Sequence, residues 1–180
     1  LLAAGASSRY GKNKLLEFVE KEPMYGHSLG ILQAFTESPR VVVTRFAEIE
    51  NMAAKYGILT VQNDEPEKGI AWSLHKGLQK LWAEYPALQG VLCMVSDQPW
   101  LQVRTVRHIL EKAALHPERI VCAGTKEHPG NPVWFGKDFF PELLALEGDI
   151  GGRQVLRKHP DCIRYCPTEQ KELWDVDEPL

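Results

Sequence analysis

A loop rich in small and cationic residues opens the chain. The stretch LLAAGASSRYGKNK sets Arg9 and Lys14 among glycines, alanines and serines. Consecutive backbone amides in such a turn form a concave anion site, and Arg and Lys add charge-assisted hydrogen bonds to phosphate oxygens. The spacing matches neither the Walker loop nor the dinucleotide-binding fingerprint. The stretch indicates phosphate binding, and its alternative is a glycine-rich turn with a solvated arginine and lysine.

A carboxylate follows one of the hydrophobic runs of the chain. In VLCMVSDQPWL, Asp97 directly follows a predicted buried strand, where a lone carboxylate is suited to holding Mg²⁺ against substrate phosphates. Magnesium keeps most of its waters and takes only one or two protein carboxylates, so we expect a sparse site. The alternative is an aspartate that caps a turn or a helix.

The stretch WDVDEPL carries two further carboxylates. We expect the side chains of Asp175 and Asp177 to diverge, so that only one of them faces the same metal as Asp97. We favour Asp177. The alternative is a solvated acidic tail.

Small residues follow another predicted strand in NDEPEKGIAWSLHKGL. Asn63 ends the strand and Gly69 relaxes the chain before a helix, while Ser73 and Gly77 lie four residues apart on one helical face. Small side chains there admit a nucleobase or a neighbouring backbone. Tight packing of the helix on the sheet explains them equally well.

Two later stretches are candidates for a second anionic ligand. HPGNPVWF contains a turn at Gly130, Asn131 and Pro132 that can present backbone amides, and LEGDIGGRQVL carries Asp149 and Arg153 at a glycine-rich helix start. A simple turn and a capped helix are the alternative.

Hydrophobic β-rich runs alternate with helical patterns, which is the signature of a mainly parallel sheet covered on both faces. A turn-rich segment then leads into Val133–Phe135, which we predict as an excursion or an antiparallel strand. The predicted strands are 1–4, 41–44, 59–62, 90–96, 119–123 and 163–166, and the predicted helices are 28–36, 47–56, 70–84, 103–116, 137–146 and 151–159. In open α/β sheets, ligands bind beyond the carboxyl ends of the strands, so we expect the loops above to converge on one crevice.

Length and charge limit the class of protein. With 180 residues, 21 Lys and Arg and 24 Asp and Glu, we expect one domain over 1–180 and no nucleic-acid partner, because no basic stripe is present. No apolar run reaches the roughly 18 residues that span a bilayer, and we expect no membrane association. The chain begins inside an apolar segment without Met, so we expect some N-terminal residues to be missing.

Four cysteines are present, at positions 93, 122, 162 and 166. The first two fall in strand-like runs and are predicted to be small core residues. The spacing of the other two lacks a second Cys or His pair at zinc-ligand distance. We therefore expect no structural metal and a reducing, cytoplasmic location.

Taken in order, LAAGASSRYGKNK, DQP, GNPVWF, GDIGGRQVL and DVDEP resemble the MobA-like NTP transferases over essentially the whole chain. The similarity is to the molybdenum cofactor cytidylyltransferase branch and its molybdenum hydroxylase accessory relatives. The resemblance implies an α/β, three-layer Rossmann-like nucleotide-diphospho-sugar transferase fold with a mostly parallel, mixed central sheet. It also implies transfer of a nucleoside monophosphate to the phosphate of a molybdopterin cofactor, with release of pyrophosphate and with Mg²⁺ as cofactor.

Site residues follow from the motifs. The resemblance implies that Arg9 and Lys14 grip the triphosphate as catalytic residues with Asp97, and that Asp97 and Asp177 hold Mg²⁺. Candidate nucleotide-binding residues are Leu2, Ala3, Ala4, Gly5, Ser7, Ser8, Asn63, Gly69, Ser73 and Ser96. Candidate acceptor-binding residues are Gly130, Asn131, Pro132, Asp149 and Arg153.

Ala4 bears on which nucleobase the substrate carries. Guanylyltransferases of the family read L-A-G-G where this chain reads L-A-A-G, and a methyl at Ala4 narrows the pocket against a purine, which favours CTP. Tyr10, Ser96 and Asn131 depart from the usual Met, Gly and His of the family; Ser96 bears on the backbone around Asp97, and Asn131 on acceptor recognition. Alternatives are a sugar- or polyol-phosphate nucleotidyltransferase, a GTP-using molybdopterin guanylyltransferase, or a non-catalytic protein that hands cofactor to a molybdenum hydroxylase.

Overall fold

The computed structural model describes residues 1–5 and 13–177. The strands are β1 (Leu2–Ala3), β2 (Phe18–Val19), β3 (Glu22–Pro23), β4 (Val41–Thr44), β5 (Leu59–Gln62), β6 (Gly90–Cys93), β7 (Ile120–Gly124), β8 (Pro129–Gly136) and β9 (Ile163–Cys166). The helices are α1 (Met24–Gln33), α2 (Ala47–Lys55), α3 (Gly69–Glu84), α4 (Val103–Leu115), α5 (Phe140–Leu144) and α6 (Arg153–Lys158). Short 3₁₀ turns cover Lys14–Leu16, Pro66–Lys68, Lys137–Phe139, Pro160–Cys162 and Gln170–Leu173.

Two groups of strands join into one mixed sheet. The first group has the order β1-β4-β5 and is parallel throughout, and the second has the order β6-β8-β7-β9. A parallel bridge between Leu2 and Val95 connects them, with backbone hydrogen bonds from Leu2 N to Met94 O (2.9 Å) and from Ser96 N to Leu2 O (3.1 Å). In this combined sheet β8 runs against its neighbours β6 and β7. The predicted antiparallel strand at Val133–Phe135 is thus confirmed, as part of β8.

Helices cover the sheet on both faces, because alternate strand residues point to opposite sides. One face packs against α1, α2 and α4, and the other against α3, α5 and α6. In β7, Ile120 and Cys122 face the second set, while Val121 and Ala123 face α4. All five β7 residues are buried, which explains its continuous hydrophobic run. The architecture is the predicted three-layer, Rossmann-like α/β fold.

Several element boundaries differ from prediction. Helix α1 begins at Met24 rather than residue 28, because Pro23 provides an extended N-cap at φ −61° and Met24 and Tyr25 are buried. The β2–β3 hairpin was not predicted, since its strands are only two residues long. Its turn places Glu20 at φ 59°. Within the described part of the chain, no helix is long and apolar enough to cross a membrane.

Candidate active site

Lys14, from the opening loop, contacts Asp97, which follows β6, the central strand of the combined sheet. Lys14 starts a 3₁₀ turn whose N-cap is Asn13, and Asn13 Oδ1 accepts a hydrogen bond from Leu15 N at 3.2 Å. This turn aims the Lys14 side chain at Asp97, and Nζ donates to Oδ2 at 2.8 Å. The predicted convergence of the opening loop and the strand-end carboxylate is therefore confirmed.

A C-terminal strap, residues Leu173–Asp177, completes this cluster. Val176 N donates to Asp97 O at 2.9 Å, and Lys14 Nζ donates to Val176 O at 3.0 Å. The same ammonium contacts Asp177 Oδ1 at 3.3 Å. Because one cation touches both carboxylates, Asp97 and Asp177 lie close together, as predicted for a pair that shares a metal.

The electrostatics of this cluster keep Lys14 charged. Burial is the largest single influence and opposes the ammonium, but the hydrogen bonds and negative charges of Asp97 and Asp177 outweigh it. The pKa of Lys14 therefore lies above its usual value. The site therefore places a charged ammonium beside two aspartate side chains, which suits a ligand that carries both phosphates and a cation.

Asp175 lies beside the cluster as well, which corrects one expectation. Its Oδ1 accepts a hydrogen bond from Gln98 Nε2 at 2.9 Å. Burial raises the pKa of its carboxyl, and the charge of Asp97 raises it further. The expectation that Asp175 and Asp177 diverge was wrong, because side chains two residues apart in an extended segment lie on the same side.

The carboxylates fit a sparsely coordinated divalent metal. Asp97 Oδ1 is buried and has no hydrogen-bond partner among the described residues, whereas Asp97 Oδ2 is held by Lys14. An orphaned carboxylate oxygen at a strand end is the hard donor that Mg²⁺ or Mn²⁺ takes. Among residues 1–5 and 13–177, no group of three His, Cys, Asp or Glu side chains is arranged to hold a metal.

The predicted nucleotide-binding residues of β1 lie at the same edge of the sheet. Ala3 and Ala4 are buried, and Ala3 O accepts a hydrogen bond from Thr44 Oγ1 at 3.0 Å. Gly5 is exposed, and apart from its neighbours in the chain no described heavy atom lies within 4 Å of where its side chain would begin. Ser7, Ser8 and Arg9 lie outside the described residues.

Three polar residues that were predicted to bind nucleotide form hydrogen bonds with other side chains of the protein. Asn63 Nδ2 donates to Ser73 Oγ at 2.8 Å, and both residues are buried. The Ser96 and Ser28 hydroxyls are likewise buried and 2.8 Å apart. These pairs fix β5 to α3, and the end of the central strand to α1. The geometry argues against direct side-chain contacts between Asn63, Ser73 or Ser96 and a nucleotide.

The glycines of the third stretch serve close packing. Gly69 has φ +82°, and a Cβ there would lie 2.3 Å from the carbonyl carbon and oxygen of Gly148. At Gly77 a Cβ would lie 2.9 Å from Val43 Cγ2. Of the alternatives open in the sequence, approach of a neighbouring backbone at Gly69 and helix–sheet packing at Gly77 are the ones observed.

A cavity of about 220 Å³ lies next to the cluster and collects the predicted acceptor residues. Asn131, Asp149 and Arg153 line it together with apolar side chains, among them Val95 and Phe135. The charge of Arg153 also lowers the pKa of Asp175, so this arginine of the cavity wall acts electrostatically on the carboxylate cluster. Of the other acceptor candidates, Gly130 and Pro132 belong to β8 and do not line the cavity. Gly130 faces Leu173, where a Cβ would lie 3.1 Å from Cδ1.

Sequence reasoning missed Gln98 as part of this site. Its side chain is 2 % exposed and donates to Asp175 Oδ1 and, at 3.1 Å, to Leu173 O. Its position directly after Asp97 was the available signal, because a polar residue buried beside a strand-end acid needs partners.

Solved structures share this fold. Rv0371c from Mycobacterium tuberculosis H37Rv is 25% identical, with a TM-score of 0.79 over 98% of this chain and 90% of that chain. A complex of Rv0371c with manganese is 24% identical, with a TM-score of 0.73 over 93% of this chain and 85% of that chain. Molybdopterin-guanine dinucleotide biosynthesis protein A from Archaeoglobus fulgidus is 13% identical, with a TM-score of 0.68 over 99% of this chain and 91% of that chain.

A comparison with curated proteins gives no match. Residues 1–163, which include β1, Lys14, Asp97 and the residues that line the cavity, match the MobA-like NTP transferase domain. The chain therefore belongs to the MobA-like NTP transferase family and is a nucleotidyltransferase.

Proposed function

We propose that this protein is a Mg²⁺-dependent cytidylyltransferase, with residues 1–180 acting as one domain. It transfers CMP from CTP to the phosphate of a molybdopterin cofactor and releases pyrophosphate. The observation that carries the proposal is the 2.8 Å contact between Lys14 and Asp97, because it unites a phosphate-binding cation with a metal-binding carboxylate at one edge of the sheet.

The proposed reaction needs positioning and charge neutralisation rather than a protein nucleophile. A phosphate oxygen of the acceptor attacks the α-phosphorus of CTP, a new phosphoanhydride bond forms, and the bond from the α-phosphorus to the bridging oxygen breaks, so pyrophosphate leaves with that electron pair. Lys14 and Arg9 offset the negative charge of the triphosphate. Asp97 and Asp177 would hold Mg²⁺, which when bound neutralises phosphate charge.

The neighbouring cavity is the proposed acceptor site. Its apolar walls suit the flat rings of a pterin, while Arg153 and Asn131 offer hydrogen-bond donors and Asp149 offers acceptors. Because Arg153 lines this cavity and its charge acts on Asp175, a phosphate bound by Arg153 would approach the triphosphate from the side of the cavity. A molybdenum hydroxylase is the proposed recipient of the product.

The preference for CTP is argued from Ala4. This residue is buried at the end of β1, where its methyl group takes space that a glycine would leave open. A smaller pocket favours a pyrimidine over a purine.

Calorimetry with CTP and with GTP, each with and without Mg²⁺, tests binding and base preference together. We expect Mg²⁺-dependent CTP binding and weaker GTP binding. Pyrophosphate release with molybdopterin or a sugar phosphate as acceptor then tests the acceptor class. Failure to bind either nucleotide would contradict the proposal, and a preference for GTP or for a sugar phosphate would replace its finer part.

Asp97→Asn separates an enzyme from a cofactor-handling protein. We expect at least about a hundredfold loss of turnover, typical when one electrostatic element of a transition-state site is removed. The matched control is Asp64→Asn, an exposed acid that also follows a strand, and it should leave turnover unchanged. Equal turnover in both variants would contradict a metal role for Asp97.

A further inference from the structure

The side chain of Gln98 ties the C-terminal strap to the central strand. Gln98 is almost fully buried, and its Nε2 donates both to Leu173 O (3.1 Å) and to Asp175 Oδ1 (2.9 Å). Both partners are acceptors, so the amide nitrogen must face them, which fixes the orientation of the group. The two hydrogen bonds therefore hold the strap at two positions, residues 173 and 175.

The strap needs such a tie because its own charges oppose its position. The negative charges of Asp97 and Asp177 act on the carboxyl of Asp175, and like charges repel one another. Lys14 compensates at Asp97 and Asp177. At Asp175 the hydrogen bond comes from a neutral amide, which attracts the carboxylate without adding a charge.

The same amide carries an unexplained cost. Gln98 Oε1 is buried and has no hydrogen-bond partner among the described residues, and a buried unpaired acceptor destabilises the folded state. An apolar side chain of similar length would fill the position without that cost. The amide is nevertheless useful at this position because its nitrogen donates two hydrogen bonds to the strap, which an apolar side chain cannot do.

We propose that Gln98 is a positioning residue: its side-chain amide anchors Leu173 and Asp175, and thereby sets Asp177 beside Asp97 in the orientation that binds a divalent cation. The inference rests on the proposed metal site. Gln98 itself contacts neither metal nor nucleotide and acts only through the strap.

The test compares Gln98→Met with Gln102→Met. Gln102 is exposed and its Nε2 donates to Trp100 O at 2.9 Å, so the control removes a similar amide four residues away. Binding of Mn²⁺ alone, followed by electron paramagnetic resonance, should be about tenfold weaker in Gln98→Met and unchanged in Gln102→Met. A change of less than twofold in Gln98→Met would overturn the proposal.

A second measurement is independent of the metal. Val176 N donates to Asp97 O, so its amide exchange with deuterium reports whether the strap is in place. We expect about tenfold faster exchange at Val176 in Gln98→Met, with the amides of β4 unchanged. If the parent binds no Mn²⁺, the proposed metal site is wrong, and this exchange alone decides whether Gln98 anchors the strap: equal rates in parent and variant reject it.

Exchange of the hydrogen-bonding partners distinguishes positioning from general packing. Gln98→Glu places a carboxylate against Asp175 and should release the strap. Adding Asp175→Asn supplies an amide donor at position 175 and should restore Val176 protection at least fivefold relative to Gln98→Glu alone. No recovery in the double variant, with the single variant folded, would show that the 98–175 contact does not anchor the strap.

Discussion

The ion pair between Lys14 and Asp97 should be the most sensitive polar contact of the site. Replacing Lys14 by Met removes the ammonium but keeps most of the side-chain volume. It leaves Asp97 without its 2.8 Å partner and Asp177 without its 3.3 Å partner, and it frees Val176 O from its 3.0 Å donor. Lys14→Met therefore removes three contacts with described residues at once.

The size of the effect follows from the burial of the pair. At an effective dielectric constant of about 20, two unit charges about 3–4 Å apart attract by about 4–6 kcal/mol before desolvation is subtracted. Breaking a fully buried pair costs about 3–5 kcal/mol, whereas an exposed pair contributes about 0–1 kcal/mol. The two side chains are 15% and 22% exposed, so we expect Lys14→Met to lower the free energy of unfolding by about 2–3 kcal/mol.

A double-mutant cycle with Asp97→Asn isolates the pair. Urea unfolding at pH 7 with a chelator measures the parent, both single variants and the double variant. We expect a coupling energy of about 1–2 kcal/mol, because the double variant no longer leaves one charge without its partner. A coupling energy below about 0.5 kcal/mol would refute the reasoning, since it would mean that solvent screens this pair like any surface contact.

Two further predictions concern single positions. Gly69→Ala should lower the free energy of unfolding in a urea titration by about 2 kcal/mol or more, because it adds both a positive-φ penalty and a clash with Gly148. The control Gly57→Ala lies at φ +63° in open space and should lose only the φ penalty of about 1–2 kcal/mol. Equal losses in the two variants would contradict the clash. Asp175→Asn should raise the melting temperature at pH 7. Folding raises the pKa of the Asp175 carboxyl above 3.8, so the folded state favours its protonated form. The parent therefore loses stability as the pH rises from 3.8 through the raised pKa, and the neutral amide of the variant does not. The advantage of the variant should shrink as melting is measured at pH values falling towards 3.8, and a constant difference would contradict the assignment.

Sequence patterns predicted most strands and the place of Asp97 after one of them because those signals are local. The run Val41–Thr44 consists of β-branched residues that are all buried, and Asp97 follows a strand whose hydrophobicity is evident. The role of Gly69 could not be predicted in this way, since the backbone that it admits belongs to Gly148, far along the chain.

Neutral polar residues were the hardest to assign. Asn63 and Ser96 were predicted to bind nucleotide from their positions at strand ends, but their hydrogen bonds are made to Ser73 and Ser28. Position in a parallel sheet indicates which residues lie near a ligand. It does not indicate which of them are already satisfied by the protein, because that depends on helices packed from elsewhere in the sequence.

The reversed direction of β8 divides the crevice into two parts of different origin. A parallel strand would deliver its downstream loop to this edge, but β8 delivers its upstream turn, so that Pro129 and Gly130 pair with the end of β7. Asn131, which lines the cavity, is thus supplied by a hairpin, whereas Ala3 belongs to the parallel strand β1 and Ala4 directly follows it. Changes in the length of that hairpin turn would therefore alter the cavity wall that bears Asn131 and leave β1 unchanged. Under the proposed function, one scaffold would then accept different acceptors while it keeps the same triphosphate site.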